Sequence, residues 1–151
     1  MPQGSASTVI DSDPQTVFAV VSDITRTGEW SPECTAGRWA GGASGPMVGA
    51  TFEGDNQVKI AGLTVKRWTT TSEVTACTPG EVFEFVAEGY TTWRYDIAPS
   101  GTGTLLTESF NFEFKTGREK FLYGSLLRRS DAMTKGMQQT LERIKASIER
   151  S

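Results

Sequence analysis

Residues 117–150 read GREKFLYGSLLRRSDAMTKGMQQTLERIKASIER, and this stretch decides the fold. Within it Leu122, Leu126, Ser130, Met133, Met137, Leu141, Ile144 and Ile148 recur at spacings of four, four, three, four, four, three and four. The mean spacing matches the helical period, so these side chains line one face of a long helix. All but Ser130 are apolar, and Lys135, Glu142, Lys145 and Glu149 fall on the opposite face. Thr116 with Glu119 three residues later is a capping-box pair at its start. A helix of about 32 residues would run roughly 48 Å. That is longer than a compact domain needs, so the rest of the chain is expected to wrap around it.

Upstream, residues 35–114 read as strands separated by Gly and Pro clusters: Thr35–Gly41, Val48–Asn56, Leu63–Thr75, Glu81–Ala87, Thr92–Ile97 and Thr104–Phe114. Alternation puts Trp93, Tyr95 and Ile97 on one face, and Leu106, Glu108, Phe110 and Phe112 on another. Short connections such as Ala98-Pro99-Ser100-Gly101 imply an antiparallel meander with one dry face. Residues 5–10 form a further strand at the start. Asp13 then caps a helix whose first turn accepts Pro14, and Val17, Val20, Val21 and Ile24 share its buried face. Residues 25–30 suggest a second short helix or turn, interrupted at Gly28, and Ser31-Pro32 closes the region. This order predicts an α+β architecture: a curved seven-stranded antiparallel sheet, two short helices after the first strand, and the long helix in its concave side.

Composition narrows the function. The chain has 151 residues and reads as a single domain, 1–151. Its 15 basic and 18 acidic residues are dispersed, with no basic block, which argues against nucleic acid. There is no apolar run of membrane-spanning length and no secretory signal pattern, so stable membrane insertion is not expected and the cytoplasm is. Cys34 and Cys77 lack metal-knuckle or redox spacing and read as free thiols in a reducing compartment. The chain contains no histidine, which excludes Ser-His-Asp and Cys-His chemistry and removes the commonest zinc ligand. No metal or cofactor is expected.

Several stretches carry a family resemblance. Asp13-Pro14 with Val17-Phe18, Gly28–Cys34 around Trp30 and Pro32, Gly45–Phe52, Gly103–Phe110 and Thr140–Lys145 match, in order and over nearly the whole chain, motifs of one superfamily. The sequence resembles the START and birch-pollen-allergen superfamily (SRPBCC, polyketide cyclase/dehydrase and lipid transport). The resemblance implies a helix-grip fold with a largely apolar cavity between sheet and helix. Its members carry or sense lipids, steroids, polyketides, flavonoids or hormones; some catalyse ring closure or dehydration, and others act on protein partners.

The strand parity then supplies candidate residues. Trp39, Phe52, Trp68, Phe83, Phe85, Trp93, Tyr95, Phe110 and Phe112 are expected inside, either as core filler or as a pocket wall. Met133 and Met137, with Leu122 and Leu126, face them from the helix, and flexible thioethers opposite rigid rings suit an adaptable pocket. Asn56, Thr70, Ser72 and Ser130 are polar groups on or near these inner faces; Ser130 reads as a ligand contact or as the cap of a helix break. Arg128 and Arg129 stand before it, at a mouth or on a solvated face.

Glu108 shares parity with Phe110 and so points inward, with Arg94, Arg67 or Tyr95 as partner. A buried carboxylate needs a partner or a raised pKa, which suits a structural hydrogen bond or a general acid. Cys34 lacks an activating histidine, and Gly41–Gly45 lacks the ending of a phosphate loop. The expected function is binding, transport or sensing of a small hydrophobic ligand by a monomer or homodimer. The alternatives are a cyclase or dehydratase using Glu108 and Tyr95, and a protein-interaction module.

Overall fold

The computed structural model describes residues 3–31, 34–89, 91–112 and 123–150, without the side chains of residues 3, 58, 59, 65, 112 and 123–133. The chain runs β1 (Gln3–Ile10), α1 (Pro14–Val21), a 3-10 helix (Ile24–Glu29), β2 (Cys34–Ala40), β3 (Thr51–Ile60) and β4 (Leu63–Thr78). It continues through β5 (Val82–Ala87), β6 (Thr91–Ser100), β7 (Gly103–Phe112) and α2 (Tyr123–Glu149). All pairings are antiparallel, in one sheet of order β1-β7-β6-β5-β4-β3-β2. Register shifts at Cys34/Ala36, Val58/Lys59 and Val74/Ala76 add local twist, and curl favours a concave inner face.

Local chemistry sets the helices. Asp13 caps α1, accepting from the Thr16 amide at 3.1 Å and the Thr16 hydroxyl at 2.6 Å. The helix stops where Ser22 Oγ donates to the Phe18 carbonyl at 2.7 Å, so Ile24 is buried from the 3-10 helix and not from α1. The 3-10 helix also continues through Gly28, where the sequence suggested an interruption. A Cβ at Gly28 would run into the Thr35 carbonyl oxygen, and one at Gly37 into that of Ile24. The two glycines let this helix and β2 meet backbone to backbone.

The boundaries of β3, β4 and β6 differ from the sequence expectation by three residues or more. β3 starts at Thr51, not Val48, because Gly49 adopts φ 90° and the Ala50 amide donates to the Met47 carbonyl, closing a turn. Its far end reaches Ile60, and β4 continues past Thr75 to Thr78 through the shift at Val74/Ala76. β6 runs through Pro99, which stands opposite Thr104 near the ladder's end, so the expected loop shrinks to a turn at Gly101 (φ 59°).

The helical stripe reads as expected where it is described. Met137, Leu141, Ile144 and Ile148 are buried, and α2 is continuous through Ser130 with no break. Leu122, the Thr116–Glu119 pair and the predicted helix start at Gly117 lie outside the described residues, as do Glu113 and Phe114 of the seventh strand. α2 packs mainly on β1, with α1 and β7 alongside. Leu141, Ile144 and Ile148 join Ile10, Val17, Phe18, Phe83, Ile97 and Leu106 in one core cluster. The C-terminal half of α2 is therefore permanent core.

The β3–β4 hairpin closes on Ala61 (φ 53°) and Gly62 (φ 82°), a two-residue turn of the type that needs positive φ at both positions. Alanine pays a steric penalty there that asparagine largely avoids. Ala61→Asn is expected to raise the unfolding free energy by roughly 0.5–1 kcal/mol in urea denaturation.

Candidate ligand pocket

The strand registers bring the expected inner-face residues together. Trp39 lies opposite Phe52, Asn56 opposite Trp68, Phe83 opposite Tyr95, Phe85 opposite Trp93, and Phe110 opposite Trp93 on its other side. Edge-on contacts link Trp39 to Phe52 (5.6 Å between centroids) and Phe52 to Phe85 (5.0 Å). Tilted contacts link Phe83 to Phe85 (5.8 Å) and Trp93 to Phe110 (5.5 Å). The result is an aromatic belt across the concave face.

Burial along the belt is uneven. Phe83 is fully buried, and Phe52, Tyr95 and Phe110 nearly so. Trp39, Trp68, Phe85 and Trp93 remain only half-buried. Met137 is buried beside Phe110 in a small cluster flanked by Trp93 and Ala6. Leu126, Ser130 and Met133 lie in α2, but their side chains, like those of Arg128, Arg129 and Phe112, are outside the described residues. Asn56 Nδ2 donates to the Gly54 carbonyl (3.1 Å), to Thr70 Oγ1 (3.3 Å) and to the Trp68 carbonyl (3.5 Å), so it ties β3 to β4. Ser72 is buried on the same face of β4.

Glu108 is the polar centre of this face. It is 5 % exposed, stands opposite Tyr95 in β6 and Ala6 in β1, and its Oε1 has no hydrogen-bond partner among the described residues. Burial pushes its carboxyl up to about 8, and Tyr95 beside it offsets part of that rise. The Tyr95 hydroxyl is held well above its usual pKa, by burial first and then by the Glu108 charge. Burial thus favours the protonated form of both groups, and a protonated Glu108 can donate a proton from an apolar wall.

Of the three expected partners for Glu108, only Tyr95 is there. Arg94 points to the other face, where it binds Glu84 (3.0 Å) and Asp96 (2.9 Å). Arg67 sits opposite Gln57 on the convex face. It helps line an open, mostly polar cleft of about 450 Å³ with Thr35, Asp55, Gln57 and Thr69, and this cleft meets the belt at Asn56 and Trp68. Cys34 and Cys77 are half-buried and form no disulfide, and Cys34 is near enough for its charge to raise Tyr95 further. Sequence reading missed Lys66, whose ammonium stands 5.2 Å from the Trp68 ring centroid. Extending the alternation of Trp68 and Thr70 back by two residues would have found it.

A family profile described as "Polyketide cyclase / dehydrase and lipid transport" matches residues 1–149. Among solved structures, the Polyketide_cyc-like protein Cgl2372 from Corynebacterium glutamicum is 35% identical, with 99% of this chain and 94% of that one covered and a TM-score of 0.67. The KanY protein (ms6282) is 15% identical over 97% of each chain, with a TM-score of 0.71. Protein CV1439 from Chromobacterium violaceum is 14% identical over 98% of this chain and 97% of that one, with a TM-score of 0.66. The last two likenesses are of fold alone. No curated protein matches this chain.

Proposed function

We propose that this chain, which belongs to the polyketide cyclase/dehydrase and lipid transport family, holds one small hydrophobic molecule between the concave face of its sheet and α2. The observation that carries the reading is the half-burial of Trp39, Trp68, Phe85 and Trp93 on a face directed inward. In a filled core, rings of this size bury completely, as Phe83 does. Apolar contact supplies the affinity, about 25 cal/mol per Å² before ordering and desolvation costs. Glu108 and Tyr95 supply orientation, which suits a lipid, polyketide or aromatic compound with at least one hydrogen-bonding oxygen.

Three of the four tryptophans lie on this face, so binding has a direct optical readout. The apolar probe N-phenyl-1-naphthylamine is expected to bind one to one, quench tryptophan emission and be displaced by hydrophobic compounds. Phe85→Ala should weaken it by about tenfold, the loss of roughly 1.4 kcal/mol of ring contact. Absence of probe uptake by the folded protein would defeat the proposal.

One observation favours a second reading, a cyclase or dehydratase. A protonated Glu108 beside Tyr95 can give a proton to a departing hydroxyl or a forming enol in an apolar pocket. Turnover of a polyketide-like substrate that Glu108→Gln abolishes, with probe binding retained, would select it over simple carriage.

A further inference from the structure

The β3–β4 hairpin extends well past its neighbours. β2 pairs with β3 only as far as Asn56, and β5 pairs with β4 only from Ser72. Four residue pairs beyond that, from Gln57↔Arg67 to Ile60↔Leu63, have no strand on either side among the described residues. The ribbon therefore projects by roughly 13 Å. Its closing pair is apolar and open to solvent: Ile60 is 64% and Leu63 72% exposed.

The charge of this stretch is one-sided. Between Asp55 and Glu73 the sequence contains Lys59, Lys66 and Arg67 and no acidic residue, in a chain whose net charge is −3. Arg67 has no ion pair or hydrogen bond among the described residues, and Lys66 is held over Trp68. The order from the tip inward is thus exposed aliphatics, then cations, then an indole. Aliphatic groups at the tip reach the acyl boundary of a bilayer, and cations behind them meet headgroup phosphates.

We propose that this hairpin is a docking element for an anionic lipid surface, with Ile60 and Leu63 entering the bilayer and Lys66 and Arg67 on the headgroups. The contact is peripheral: no described helix is long and apolar enough to cross a membrane. Ile60 and Leu63 pair directly, as do Asn56 and Trp68 four positions inward, so the tip leads along one strand pair toward the concave belt. The inference stands whether or not the pocket carries a ligand.

Co-sedimentation with vesicles tests it. The protein is expected to bind vesicles of equal phosphatidylcholine and phosphatidylglycerol, to leave pure phosphatidylcholine vesicles, and to release in high salt. Lys66→Glu with Arg67→Glu should weaken binding by at least about tenfold. Ile60→Ser with Leu63→Ser should weaken it by about tenfold as well, with the thermal midpoint unchanged because both side chains are exposed. If the wild type ignores the mixed vesicles, or either double variant binds as the wild type does, the proposal is overturned. Binding to heparin that survives the serine variant, with no vesicle binding, would overturn it in favour of an acidic macromolecule.

Discussion

At about pH 8.5 the Glu108→Gln variant is expected to unfold at a higher urea concentration than the wild type, and near pH 5 the two are expected to converge. The folded carboxyl is raised from 4.5 to about 8, so between those values the native state holds a proton that the unfolded chain releases. Stability is therefore full below the unfolded pKa and is lost as pH rises through about 8. At 1.36 kcal/mol per unit, the loss approaches roughly 5 kcal/mol above that pH. Glutamine keeps the shape and carries no titration, so its stability curve stays flat in that window.

Other carboxylates act elsewhere. Asp13, Asp55 and Glu149 are held below their usual pKa, by Thr16, Arg38 and Lys145 respectively, so their contributions fade only in acid. Tyr95→Phe removes the polar neighbour that favours the Glu108 carboxylate and should carry the alkaline loss to higher pH and make it larger. Parallel pH dependence in wild type and Glu108→Gln would show that Glu108 does not titrate across this range in the folded protein.

The inward direction of Glu108 was legible because strand parity is a geometric constant. The same constant placed Trp39, Phe52, Trp68, Phe83, Phe85, Trp93, Tyr95 and Phe110 together, and helical period did as much for Met137, Leu141, Ile144 and Ile148. Asp13-Pro14 was legible because capping is local. Across-strand identity was not. Whether Glu108 meets Tyr95 depends on the register of β6 and β7, which turn geometry at Gly101 and the full length of β6 determine. Arg94 could have been set aside by parity alone, since it follows Trp93 by one residue.

Gly28 misled for a different reason. A glycine in a short helical stretch reads as a breaker, yet here it permits close approach to Thr35. That requirement lives on β2, not on the helix. The projecting hairpin went unread because Val48–Asn56 and Leu63–Thr75 set its first arm too short. Strand ends are set by turns, and the positive φ of Ala61 is not a preference that alanine advertises.

Leu141→Ala is expected to lower the unfolding free energy by about 3–4 kcal/mol while leaving probe affinity within about twofold. Leu141 is fully buried, as are Ile144, Leu106 and Phe83 in the same cluster, so truncation leaves a void that rigid neighbours cannot close. The half-buried rings on which probe binding is expected to depend, with Phe85 and Trp93 in register across β5 and β6, are a different part of the face. Phe85→Ala should show the reverse pattern: a smaller stability loss, because part of the ring is already exposed, and the tenfold affinity loss. Urea denaturation and probe titration of both variants, at a temperature where each is folded, separate the two roles. Should Leu141→Ala weaken the probe as much as Phe85→Ala does, the C-terminal half of α2 belongs to the pocket and the boundary between fixed core and ligand space must move past Leu141, toward Ile144.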